Sequence, residues 1–223
     1  MRYYVCLLLM AAIHTAATAQ FGITTTYNFH SINAGEVVVD GVPVELDFDI
    51  NNTYELQLHY WFRLPNNRIE FQPTLYYGFG ESDVYDADSY REYGMQLEVN
   101  VYPFDFFGDC GCPTFGKQGP QFQKGIFLQF APGFARRQFV NAPFEILEEP
   151  TNTFIYGGGL GLDIGVSNLL TLTPLATVRR GRSPLGQINF SDINGTIDEQ
   201  SYVPQTTYQL GLQATFRLDS RNY

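Results

Sequence analysis

Lysine is nearly absent: the 223 residues hold only Lys117 and Lys124. Charged residues of all kinds make up 16% of the chain, below the ~25% of ordinary soluble domains. No apolar run approaches the ~20 residues of a spanning helix, which argues against a helical membrane protein. Three cysteines are too few for a disulfide-dense miniprotein. Basic charge is also scarce, with Lys+Arg 13 against Asp+Glu 23, and a net charge of −10 argues against a nucleic-acid partner. What is abundant is aromatic: 19 Phe and 15 Tyr exclude a disordered chain, and the length suits one domain or two small ones.

The first nineteen residues read as an export address. Met1-Arg2-Tyr3-Tyr4 supplies the basic start, Val5 to Ile13 the apolar stretch, and Ala17-Thr18-Ala19 the small-residue cleavage site. Residues 1–19 are therefore expected to be a secretory signal peptide, with Gln20 opening a single domain, 20–223. Cys6 lies inside the apolar stretch, unlike the cysteine of a lipoprotein anchor. Export leaves Cys110 and Cys112 in an oxidising compartment.

From Phe21 onward the period is two, the signature of strands. Eight runs of about 9–11 residues alternate, the length a tilted strand needs to cross a bilayer. In the second run Tyr54, Leu56, Leu58, Tyr60, Phe62 and Leu64 oppose Glu55, Gln57, His59, Trp61 and Arg63. In the third Ile69, Phe71, Pro73, Leu75, Tyr77 and Phe79 oppose Glu70, Gln72, Thr74, Tyr76 and Gly78. Pro65-Asn66-Asn67 and Ser167-Asn168-Leu169 are tight turns on one side. Long acidic loops, roughly 31–52, 81–90, 138–152 and 180–203, lie on the other; only the connection 103–125 is long where a short turn is expected.

Alternation alone suits a soluble lipocalin-like barrel with its apolar face inward or a membrane barrel with that face outward. Neither lysine lies on a strand, although solvated strand surfaces are usually rich in lysine. The polar rows mix Gly157, Gly159, Gly161 and Gly165 with bulky Trp61, Tyr76, Tyr102 and Phe127, as a narrow filled interior requires. The apolar rows carry no charge, and their aromatics cluster at the two ends. The expected fold is an all-β, eight-stranded antiparallel up-and-down transmembrane β-barrel with both termini in the periplasm. Pro73 and Pro174, inside strands of a closed sheet, are expected at local bulges.

An exported chain of eight amphipathic strands ending on an aromatic one resembles the small outer-membrane β-barrel proteins of Gram-negative bacteria, of the OmpA transmembrane-domain and OmpX type. Gln209, Gly211, Ala214 and Phe216 resemble that family's assembly signal (polar-x-Gly-x-x-apolar-x-aromatic), though Arg217 to Tyr223 follow the aromatic. The resemblance implies an outer-membrane location and insertion by the barrel-assembly machinery. It implies no substrate.

The two-residue Asn66-Asn67 turn sets Arg63 opposite Glu70, Trp61 opposite Gln72 and His59 opposite Thr74. With Glu98, Asp163 and Arg217 these charges are expected to form a salt-bridge network plugging the lumen, or, on the other reading, a gated ion path, because isolated buried charge costs several kcal/mol. Asp83, Asp86 and Asp88 form the best loop cluster for a cation, but lack the glycine and terminal glutamate of an EF-hand, and a solvated acidic surface is the plainer reading. Arg180 and Arg182, beside the rim, face the level of lipopolysaccharide phosphates. Cys110 and Cys112 read as a strained disulfide or an idle pair, with a redox role and metal or partner attachment as the alternatives; zinc needs about four ligands and no histidine is nearby, so no metal and no cofactor is expected. The segment 103–125, rich in Phe, is expected to cap the barrel or dock a periplasmic protein.

No His, Asp or Glu falls in an apolar row, so nothing sets a base beside a nucleophile at the lipid face. The sequence points to a non-catalytic integral outer-membrane protein that presents acidic loops for binding or envelope integrity, or serves a membrane assembly. A small porin-like ion channel and a soluble lipocalin-like binding barrel stand as alternatives.

Overall fold

The computed structural model describes residues 20–32, 36–39, 42–45, 50–63, 68–82, 89–104, 125–140, 150–167, 169–183, 188–190, 197–200 and 203–217. The expected signal peptide, the Cys110/Cys112 pair, the Asp83/Asp86/Asp88 cluster, most of 103–125 and the side chains of Arg63 and Arg217 lie outside the described residues.

Eight long strands carry the alternating runs: β1 (Gln20–Ile32), β2 (Ile50–Arg63), β3 (Ile69–Ser82), β4 (Ser89–Val101), β5 (Ile126–Val140), β6 (Thr151–Leu162, continued by Ile164–Gly165), β7 (Leu170–Ser183) and β8 (Val203–Arg217). Each pairs antiparallel with its neighbours in sequence, and β8 pairs with both β7 and β1, which closes the sheet. Closure leaves no strand edge unpaired, the condition a sheet must meet inside hydrocarbon.

The stagger of this closure follows from the register. Pair by pair, Gly22 leads to His59, Thr74, Gln96, Gly133 and Ile155. Ile155 adjoins Gly181, which pairs with Gln205, and Gln205 pairs with Ile32. The circuit thus returns to β1 ten residues above its start, a stagger that tilts eight strands by about 40° from the barrel axis.

The faces divide as the alternation expects. Thr24, Thr26, Asn28, Glu55, Gln57, Gln72, Thr74 and Gln213 are buried in the interior, whereas Leu75 is 61%, Phe134 63% and Met95 59% exposed on the outside. In water each such side chain would forfeit about 1.5–3 kcal/mol of burial, so this orientation is the reverse of a soluble barrel's. Aromatic rings girdle both ends: Tyr27–Tyr54 at 5.3 Å and Phe134–Phe154 at 5.5 Å toward the long connections, Phe21–Phe216 at 5.8 Å and Phe62–Phe71 at 5.4 Å toward the short turns. This is the surface of a barrel that spans a bilayer.

Inside, small residues stand beside large ones. A Cβ on Gly161 would lie 2.2 Å from the Phe127 ring, and one on Gly22 would lie 2.2 Å from His59 Nε2. The turn after β6 closes as its sequence predicts, with Ser167 Oγ accepting from the amides of Leu169 (3.2 Å) and Leu170 (3.1 Å).

Two expectations are corrected. Pro73 and Pro174 do not sit at bulges, and Pro132 behaves like them: the recorded pairs stop beside each proline and resume in the same register. Proline lacks an N–H, so it deletes a rung toward one neighbour without inserting a residue. Beside Pro174 the break falls at Asp163, whose amide instead donates to the Gly125 carbonyl at 3.0 Å. The long connections, second, are not purely loops. Glu36–Val39 pairs with Val42–Glu45, and Ile188–Phe190 with Ile197–Gln200. Asp40-Gly41 between two valine-rich quartets was the available hairpin signal in the first case.

Leu75→Arg, midway between the girdles, is expected to lower folding stability in lipid by about 2–4 kcal/mol, while Ile164→Arg near the turn-side interface costs about 0–1. Urea titration of refolding into liposomes, read by heat-modifiable gel mobility, checks the ordering.

Candidate functional site

The lumen is where this chain concentrates its buried polar chemistry, and it divides into three levels. Toward the long connections lie Glu55 on β2, Glu92 on β4, Arg137 on β5 and Arg179 on β7, all at most 4% exposed. Arg179 Nη2 donates to both carboxylate oxygens of Glu55, at 2.8 and 2.6 Å, and its Nη1 to Glu92 Oε1 at 3.2 Å. Arg137 Nε donates to Glu92 Oε2 at 2.9 Å, and its Nη1 to the Arg182 carbonyl at 2.6 Å. Two guanidinium groups thus meet two carboxylates, and the cluster is neutral.

Phenols complete it. Tyr76 donates to Glu92 Oε1 at 2.9 Å and Tyr90 donates to Glu92 Oε2. The Arg179 guanidinium lies 4.4 Å from the Tyr76 ring centroid. Above, fully buried Phe139 packs on Tyr90 at 5.4 Å, and the His30 ring contacts Thr53 (2.8 Å), Gln205 (3.0 Å) and Thr207 (3.1 Å). Four strands from different sides of the barrel are tied through one knot of charge. A buried ion pair is costly to form, but costlier to break from one side.

At mid-height Glu98 accepts from Gln96 Nε2 at 2.6 Å and from Gln129 Nε2 at 3.1 Å. The space left here, lined by Gln57, Gln96, Glu98, Gln129 and Arg179 among others, is about 10 Å³, the volume of a single water probe. A second space of about 10 Å³ lies lower, between Gln20, Trp61, Glu70, Gln72 and Asp163.

At the turn-side level Trp61 Nε1 donates to Glu70 Oε2 at 2.6 Å, and Thr173 donates to Asp163 Oδ1 at 2.7 Å. The Tyr102 hydroxyl lies between these two acids, 2.8 Å from Glu70 and 2.7 Å from Asp163. Arg68, nearly fully buried, stacks over the Tyr102 ring at 3.9 Å.

Of the six residues expected to share one network, the structure brings Glu70 and Asp163 together through Tyr102. Glu98 belongs to a separate level. His59 lies buried against Gly22, and neither ring nitrogen has a hydrogen-bond partner among the described residues. The backbone register does set Arg63 opposite Glu70 and His59 opposite Thr74. The knot of Glu55, Glu92, Arg137 and Arg179 contains none of the six. Glu55 stood in the polar row of the second run and Arg179 continues the inward row of Thr171, Thr173 and Thr177 on β7, but Glu92 and Arg137 lie one step beyond where alternation is legible, because their outward neighbours Arg91 and Arg136 are no longer apolar. The four residues resembling an assembly signal lie on β8. Gln209 faces inward and donates to Asn28 at 3.1 Å, Gly211 adjoins Leu175, Ala214 pairs with Ile23, and Phe216 meets Phe21 on the outside.

No protein-family model matches the sequence, and no curated protein is similar to it. Similar solved structures exist. Neisserial surface protein A (NspA) matches at 8% identity and a TM-score of 0.52, over 90% of this chain and 97% of that one. A major outer membrane protein from Thermus thermophilus matches at 14% identity and 0.43, over 90% and 99%. The outer membrane protein OprG from Pseudomonas aeruginosa matches at 10% and 0.41, over 90% and 97%.

Arg179→Met, which leaves Glu55 without its cation, is expected to destabilise the barrel by about 3–5 kcal/mol. Glu98→Gln, at a carboxylate held by the neutral amides of Gln96 and Gln129, costs under about 1 kcal/mol. Unfolding of both variants in detergent, followed by tryptophan fluorescence, checks the contrast. On closure, strand number and the orientation of its faces, the chain has the fold of the small eight-stranded outer-membrane β-barrel proteins.

Proposed function

We propose that this protein is a non-catalytic, integral outer-membrane barrel whose lumen is closed by its own side chains and which works through what it presents at its ends. The observation that carries the closed lumen is the neutral knot of Glu55, Glu92, Arg137 and Arg179, which ties β2, β4, β5 and β7 across the interior. The two residual spaces of about 10 Å³ each support the same reading, since a hydrated ion needs several water volumes in series. Eight strands enclose an interior only wide enough for side chains.

With the lumen closed, function falls to the ends. The long connections, which carry the small hairpins at Glu36–Val39/Val42–Glu45 and Ile188–Phe190/Ile197–Gln200, are the binding surfaces outside the cell. Hairpins give such loops a preformed shape, which lowers the entropy lost when a partner binds. At the opposite end, 103–125 serves as a periplasmic contact, and β8 directs insertion by the barrel-assembly machinery.

Purified protein in planar bilayers is expected to give no steps of ion current. Regular conductance steps that change on Arg179→Gln would overturn the closed lumen in favour of a small channel. Deleting residues 36–45 and 188–200 is expected to preserve the heat-modifiable folded form while abolishing capture of a cell-surface ligand.

A further inference from the structure

The arginines that do not enter the lumen are unevenly placed. Arg91 on β4, Arg136 on β5, and Arg180 and Arg182 on β7 all point outward and are exposed. Each of the first three follows the girdle by one outward step: Arg91 after Tyr93, Arg136 after Phe134, and Arg180 after Val178 with Tyr156 as its paired neighbour. Followed through the stagger of the barrel, Arg91, Arg136 and Arg182 come to within roughly 3 Å of one level, with Arg180 one outward step below. The corresponding outward positions on the remaining five strands are Ser31, Asn52, Glu81, Asn152 and Thr206. One arc of the rim therefore carries four guanidinium groups and, among the described residues, no outward carboxylate, in a chain of net charge −10.

Among the described residues none of these four arginines forms an ion pair, and the one outward carboxylate beside the arc, Glu81 on β3, lies diagonal to Arg91 at its edge. The ion pairs of Arg137 and Arg179 are spent inside the lumen on Glu55 and Glu92. Above β6 to β8, moreover, the arc borders a recess of about 850 Å³ whose lining includes Phe154, Tyr156, Arg180, Arg182, Pro204 and Thr206. Aromatic faces below and guanidinium groups above match an amphiphile with an apolar body and an anionic head. Long connections mark this end as the outer side of the membrane.

We propose that the β4–β7 arc is a binding surface for the phosphorylated headgroup of an outer-leaflet glycolipid. The guanidinium forks take the phosphate oxygens in bidentate pairs, as ammonium groups do not, and the girdle rings below take the sugar and the first acyl carbons. Four arginines distributed over three strands suit a headgroup carrying two separated phosphates better than a single free phosphate. The proposal rests on the membrane orientation of the barrel, so its test keeps the two apart.

Mature protein, refolded in a neutral detergent, is titrated with bisphosphorylated lipid A, with chemically dephosphorylated lipid A, with phosphatidylcholine and with inorganic phosphate, and retained ligand is read by native mass spectrometry. Bisphosphorylated lipid A is expected to bind at least tenfold more tightly than either other lipid, and inorganic phosphate at equal concentration not to displace it. The quadruple variant R91Q/R136Q/R180Q/R182Q is expected to lose that preference while keeping its heat-modifiable mobility. Equal retention of phosphorylated and dephosphorylated lipid by the wild type overturns the proposal, and needs no variant to fold. Unchanged preference in the quadruple variant overturns the assignment to these arginines. Failure of the membrane reading would look different: a protein that folds and stays monomeric in buffer without detergent.

Discussion

Inside hydrocarbon a backbone N–H or C=O without a partner costs several kcal/mol, and no water is present to supply one. A chain that crosses with strands must therefore close its sheet, and closure dictates the rest of this molecule. Because β8 pairs with both β7 and β1, successive side chains of every strand face either lipid or lumen. The greasy rows go outward, and whatever is polar on the strands is confined to a narrow interior. Three prolines show how far the constraint bends: Pro73, Pro132 and Pro174 each remove a donor, yet the register on either side is unchanged. The closed sheet tolerates lost rungs more readily than a shifted strand, because a shift of one residue would turn a whole row inside out.

Confinement explains the lumen. Toward the long connections, charge is resolved as charge, with two arginines against two glutamates and three phenol or stacking contacts around them. Neutral donors serve the other acids: the amides of Gln96 and Gln129 hold Glu98 at mid-height, and toward the short turns Trp61, Tyr102 and Thr173 hold Glu70 and Asp163 beside the buried Arg68. Glycine supplies the space for the bulky members, as Gly161 does for Phe127 and Gly22 for His59. Interior and exterior arginines are thus separate sets, one paired with glutamates across the interior and the other exposed at the rim.

Much of this architecture was legible beforehand because the bilayer imposes a two-residue period that can be read by eye. The eight runs, the pairing of Arg63 with Glu70, the Ser167 turn and the two aromatic girdles all follow from local order. The strands, however, are longer than the hydrocarbon is thick, at 12 to 15 residues. Where they leave the lipid their outward positions turn polar and alternation disappears, which hid Glu92 and Arg137 as lumen residues and Arg91 and Arg136 as an outward arc.

By itself, then, the order of residues determined strand number, the turn-side and loop-side ends, and which face of each strand meets lipid, since each is a property of neighbours along one chain. The tertiary structure alone decided which interior charges meet. Arg179 reaches Glu55 across 124 positions of sequence, and Glu92 across 87. Those meetings depend on the ten-residue stagger with which the sheet closes on itself, a quantity summed around all eight strands and written in none of them.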